Sequence, residues 1–161
     1  MRSVLVVITC FVCYFTLGTA LEVDTCSNGE KGLEKIDQEI QIGRCKKVPC
    51  RLRKGTAVKA QFKFKPAFDS PTLVNRVSAK IVGIPFPFIG VDGTDACKTV
   101  FDESGEKQVG CPLKKGQTYV FKDQFDILSI YPSIKLEVHW GLEGSTGDNV
   151  VCFEVPARIT N

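Results

Sequence analysis

From Ala57 to Lys65 the chain alternates without a break: Val58, Ala60, Phe62 and Phe64 take one parity, while Lys59, Gln61, Lys63 and Lys65 take the other. A two-residue period belongs to a β-strand with one dry and one wet face, and the dry face here is aromatic. A second run, 134–142, sets Ile134, Leu136, Val138 and Trp140 against Lys135, Glu137, His139 and Gly141, which places His139 on a wet face. Weaker alternation covers 36–42, 73–81, 119–127 and 151–159, with turn-rich stretches at 90–93 and 144–149 between. About seven short strands at this spacing predict an all-β, two-sheet sandwich. In the last run Val151, Phe153, Val155, Ala157 and Ile159 share a parity, so Cys152 faces whatever covers the sheet from outside.

An apolar run from Val4 to Leu17, closed by Gly18-Thr19-Ala20, reads as a secretory leader over 1–20. One domain is expected over 21–161. Cys10 and Cys13 leave with the leader, and Cys26, Cys45, Cys50, Cys97, Cys111 and Cys152 stay. An even count on an oxidising route predicts three disulfides. Six cysteines permit 15 pairings, and spacing favours only the local ones, Cys45 with Cys50 and Cys97 with Cys111. Cys26 and Cys152 would then tie the ends of the domain, a loop for which chain entropy gives a gain of about 4 to 5 kcal/mol.

Charge points to no polyanionic partner. Losing Arg2 lowers the net charge from +3 to about +2, and no nucleic-acid partner is expected. The basic stretch of Lys46, Lys47, Arg51, Arg53 and Lys54 reads first as solvated surface and second as a dock for an acidic membrane or receptor. Catalysis lacks its usual residues. His139 is the only histidine, and no Gly-x-Ser-x-Gly elbow is present to supply a nucleophile. Among the six cysteines that stay there is no Cys-x-x-Cys pair, and no phosphate-binding glycine loop occurs, so neither metal nor cofactor is expected. Asn28, Asn75 and Asn149 do not open glycan acceptor sites.

The segment Gly83-Ile84-Pro85-Phe86-Pro87-Phe88-Ile89-Gly90 sets prolines at alternate positions, which excludes a central strand and assigns it to a sheet edge or rim. Its large apolar residues either plug a core or frame the mouth of a pocket.

Five motifs together carry a family resemblance. They are Cys-Lys-Lys-Val-Pro-Cys at 45–50, Ile-Pro-Phe-Pro-Phe at 84–88, Gly-Cys-Pro-Leu-Lys-Lys-Gly-Gln-Thr-Tyr at 110–119, Tyr-Pro-Ser-Ile-Lys-Leu-Glu-Val-His-Trp at 131–140 and Cys-Phe-Glu-Val-Pro-Ala-Arg-Ile at 152–159. The chain resembles the Niemann-Pick type C2 proteins of the ML lipid-recognition family, from Cys26 to Ile159. The acidic loop between Cys97 and Cys111 is more like the arthropod branch than the vertebrate lysosomal members. The resemblance implies an immunoglobulin-like sandwich with an internal apolar cavity and the pairing Cys26–Cys152, Cys45–Cys50 and Cys97–Cys111. It implies a pocket mouth at Phe88, Ile127 and Tyr131 and deeper walls at Trp140 and Phe153. Leu52, Phe62, Phe64, Ile81, Val138 and Val155 join the wall by parity and similarity together, and Phe86 joins it by similarity.

The function implied is that of a secreted, monomeric, non-enzymatic carrier of one sterol, fatty acid or similar lipid, with transient membrane or receptor contact. It would act in an extracellular fluid, with the endolysosomal lumen as the other compartment. Two rivals follow: innate-immune recognition of a bacterial, lipid A-like molecule, and an adhesion or signalling domain with a filled core.

Overall fold

The structure, a computed structural model, describes residues 21, 23–26 and 40–161. The leader and the greater part of the alternation at 36–42 lie outside the described residues. The described chain forms β1 (Asp24–Thr25), β2 (Gln41–Ile42), β3 (Cys50–Arg53), β4 (Thr56–Phe64), β5 (Leu73–Ile81), β6 (Ile84–Pro87), β7 (Val100–Phe101), β8 (Tyr119–Ile127), β9 (Lys135–Gly144) and β10 (Asn149–Thr160). One sheet runs β1-β10-β9-β5-β6 with β3 also on β10, and the other runs β2-β4-β8-β7. All pairings are antiparallel except β3 with β10. Five of the strands are 9 to 12 residues long and the other five are pieces of two to four, so the count exceeds the expected seven.

Each long strand buries the parity its sequence marks. Val58, Ala60, Phe62 and Phe64 are buried on β4, and Leu136, Val138 and Trp140 on β9. Stacking the two dry faces makes the core, as in other two-sheet sandwiches. β3 and β4 belong to different sheets, and the turn between them crosses the end of the sandwich. There the Lys54 N–H donates to the Thr160 carbonyl and the Gly55 N–H to the Ile127 carbonyl.

β6 forms the edge beside β5, where its two prolines remove donors that a central strand would need. The β5–β6 hairpin turns on Val82 and Gly83, both at positive φ (51° and 79°). Such turns match strand twist, but a β-branched residue there is strained, and Val82 is 95% exposed.

The three disulfides are Cys26–Cys152, Cys45–Cys50 and Cys97–Cys111, as the resemblance implies. Cys152 does face outward, and what covers it is Cys26, at the end of a strap whose strand β1 lies beside β10 in the sheet. This corrects the reading of His139 as a wet-face residue. His139 does leave the outer face of β9, but its side chain is only 16% exposed. Its Nδ1 lies 3.5 Å from Cys26 Sγ and 3.1 Å from Glu154 Oε1. Parity sets the face on which a side chain lies; it carries no information about a strap from 113 residues away.

Glu154, 4% exposed, completes this outer cluster by pairing with Lys80, which also lies 3.9 Å from Glu137. Burial pushes the Glu154 carboxyl up, but hydrogen bonds from Lys80, His139 and Glu137 outweigh it and hold the group below the usual range. Glu137 moves the other way, raised by burial and by the neighbouring Glu154. The two sulfurs beside His139 are joined to each other, so the cluster offers no thiolate to a metal.

Candidate functional site

Two stacked aromatic pairs, one from each sheet, meet edge to face at the centre. Phe62 and Phe121 are register partners on β4 and β8, with ring centroids 4.7 Å apart and planes at 18°. Trp140 and Phe153 are register partners on β9 and β10, 6.5 Å apart at 9°. Across the gap Phe62 meets Phe153 at 5.2 Å and Phe121 meets Trp140 at 5.8 Å, both T-shaped, as ring quadrupoles prefer.

From this centre an aromatic path leads to the surface. Trp140 contacts Phe125 at 5.5 Å, Phe125 contacts Phe88 at 5.3 Å, and Phe88 contacts Tyr131 at 5.9 Å. Tyr131 is half-buried, and its hydroxyl oxygen accepts the Ile89 N–H at 3.2 Å. The structure therefore gathers Phe62, Phe88, Tyr131, Trp140 and Phe153 into one connected set. Leu52, Phe64, Ile127, Val138 and Val155 are buried in the same core, and Ile81 is partly buried against it. Of the three residues assigned to a mouth, Phe88 is 3% and Ile127 1% exposed, so only Tyr131 reaches water here. Phe86 stands apart: it lies on the edge strand, 49% exposed.

Phe121 and Phe125 were not among the predicted site residues, although both occupy the dry parity of β8. Their strand alternates weakly because Asp123, at the same parity, breaks the apolar row. Asp123 is half-buried, and burial raises its carboxyl above the usual range against hydrogen bonds from the Gln124 N–H and Asn75. Asn75, on the inner face of β5, reaches across from the opposite sheet, and its Nδ2 donates to Asp123 Oδ2 at 3.1 Å and to Thr94 Oγ1 at 3.0 Å. The inter-sheet space thus contains one polar bridge among its rings.

Several large apolar residues are exposed on the edge hairpin and the loops near it. Val82, Ile84 and Phe86 stand out along the β5–β6 hairpin, Ile89 follows it, and Ile130 is 79% exposed in the β8–β9 loop. At the same end of the six-stranded sheet, exposed Arg51, Arg158 and Lys135 lie side by side in register across β3, β10 and β9.

A family model described as "ML domain" matches residues 20–159. The chain is 32% identical over 126 residues to NPC intracellular cholesterol transporter 2 of Mus musculus, covering 78% of each chain. It is 32% identical over 113 residues to NPC intracellular cholesterol transporter 2 homolog a of Drosophila melanogaster, covering 70% of this chain and 71% of that one. Among solved structures it is similar to a Niemann-Pick type C2 protein from the Japanese carpenter ant, with a TM-score of 0.64 and 22% identity over 76% of this chain and 90% of the other. At that identity the likeness speaks for the fold, an immunoglobulin-like sandwich.

Proposed function

The chain belongs to the ML-domain family, among relatives of the Niemann-Pick type C2 kind, and from that premise we propose that it is a reversible carrier of one sterol or fatty acid, working outside the cell after secretion. The observation that carries this reading is the aromatic path from half-buried Tyr131 through Phe88 and Phe125 to Trp140. A lipid tail follows that path inward as the rings part, its polar end stays by Tyr131, and no bond changes.

Magnitudes suit a shuttle. Burying some 400 Å² of tail at about 25 cal/mol per Å² yields a gross gain on the order of 10 kcal/mol. Immobilising the ligand takes back several of those, which leaves micromolar or somewhat tighter binding and allows release. The exposed apolar rim of Val82, Ile84, Ile89 and Ile130, with Arg51, Lys135 and Arg158 beside it, supports transient contact with a donor or acceptor membrane. No helix among the described residues is long and apolar enough to cross one.

Organic extraction of the purified secreted protein, followed by mass spectrometry, tests the reading. A host sterol or fatty acid at about one per chain is expected. A lipid A-like molecule would favour immune recognition instead, and extracts without lipid, from protein that binds none when offered it, would leave a filled-core adhesion domain.

A further inference from the structure

Two buried polar atoms in the inter-sheet space have no hydrogen-bond partner among the described residues: Asn75 Oδ1 and Trp140 Nε1. Their residues are 1% and 0% exposed. On the β5–β9 ladder Asn75 opposes Leu142 and Val77 opposes Trp140, so the two are diagonal neighbours on the inner face. Diagonal neighbours stand about 7 to 8 Å apart, within reach of aromatic and long side chains. An acceptor without a donor and a donor without an acceptor therefore share one wall of the inter-sheet space, beside the Asn75–Asp123 bridge.

The orientation of the Asn75 amide follows from its neighbours. Thr94 spends its hydroxyl proton on the Val91 carbonyl at 2.6 Å, so towards Asn75 it only accepts. Nδ2 must face Thr94, and it gives its other proton to Asp123. Oδ1 is left on the side away from both. Beside Asp123 the β4 partner is Ala60, a small residue between the bulkier levels Phe62–Phe121 and Val58–Phe125. Buried polar atoms are almost always satisfied in folded proteins, and a plain hydrocarbon tail would satisfy neither of these.

A hydroxyl group does both, since it donates one hydrogen bond and accepts others. We propose that this chain selects a lipid hydroxylated within its buried hydrocarbon portion, the hydroxyl donating to Asn75 Oδ1 and accepting from Trp140 Nε1. The inference rests on the carrier reading above and narrows its ligand class to hydroxy fatty acids or side-chain-hydroxylated sterols. Shape alone discriminates weakly between lipids, whereas a site built to hydrogen-bond a hydroxyl penalises the analogue that lacks it.

The test is competition of a bound fluorescent lipid by matched series: octadecanoic acid against its positional monohydroxy derivatives, and cholesterol against its side-chain monohydroxy derivatives. In one series, at least one hydroxylated member should bind roughly tenfold or more tighter than its parent. Asn75→Leu, close in volume, should bring that ratio to about one, and Trp140→Phe should lower it while keeping an aromatic ring. Thermal melting confirms that each variant is folded, and the Trp140 variant carries the test if the Asn75 variant is not. Equal binding of parent and hydroxylated lipids, or a ratio that survives both substitutions, overturns the proposal and leaves the carrier intact. Failure of every lipid in both series overturns the carrier reading and this inference with it.

Discussion

The Tyr131 hydroxyl oxygen accepts the backbone N–H of Ile89 at 3.2 Å, which ties the β8–β9 loop to the segment leaving the edge strand β6. Below that bond the Tyr131 ring stands T-shaped to Phe88 at 5.9 Å. One residue thus stands at the surface end of the aromatic path and joins the two segments that, on the carrier reading, part to admit a lipid.

Tyr131→Phe keeps the ring and removes that join. The lost hydrogen bond is worth about 1 kcal/mol, so melting should change little. Stopped-flow mixing with a fluorescent fatty acid should show faster loading and faster release, with the release rate rising by roughly fivefold. Unchanged rates would mean that the two segments move independently of this bond.

Phe125 links the rim to the centre, touching Phe88 on one side and Trp140 on the other while only 3% exposed. Truncation to alanine should destabilise the fold by about 3 to 5 kcal/mol in denaturant unfolding. Because the same change widens the path, lipid added in excess should recover more stability in this variant than in the parent protein. Phe125→Leu, a smaller change in volume, should cost less and serves as the folded comparison for binding.

Acid should affect the outer cluster through two opposed carboxyls. The lowered Glu154 contributes stability that is present above the unfolded carboxylate value, about 4.3, and is lost as pH falls through the folded value. The raised Glu137 has the reverse effect: its charged form is disfavoured at neutral pH, and protonation relieves it as pH falls. Melting temperature should therefore hold or rise slightly as pH falls from about 7 towards the unfolded carboxylate value, and drop below it. Glu137→Gln should melt higher than the parent at neutral pH and lose more on acidification. A variant whose melting profile parallels the parent at every pH would remove Glu137 from this account.

Strand alternation made the long elements legible because it is a property of one strand at a time. β5 and β8 fall on 73–81 and 119–127 as the pattern sets them, although each carries a polar residue at a dry position. Those two residues, Asn75 and Asp123, weaken the pattern for a physical reason: they bond to each other across the gap, a relation between strands 48 positions apart. The parallel pairing of β3 with β10 and the strap over His139 escaped for the same reason. Motif similarity supplied Phe88, Tyr131, Trp140 and Phe153, which the structure joins in one aromatic path. It also supplied Phe86, which faces solvent at the sheet edge because the strand presents it there while the next turn carries Phe88 inward.

Trp140, the only tryptophan in the chain, lies at the inner end of that path and offers a direct reading of where a lipid goes. Titration with a fluorescent polyene fatty acid or sterol, excited through the indole, should quench Trp140 and raise polyene emission together, saturating at one lipid per chain. Saturable binding without energy transfer from Trp140, or no binding at all, would contradict a ligand held between the two sheets.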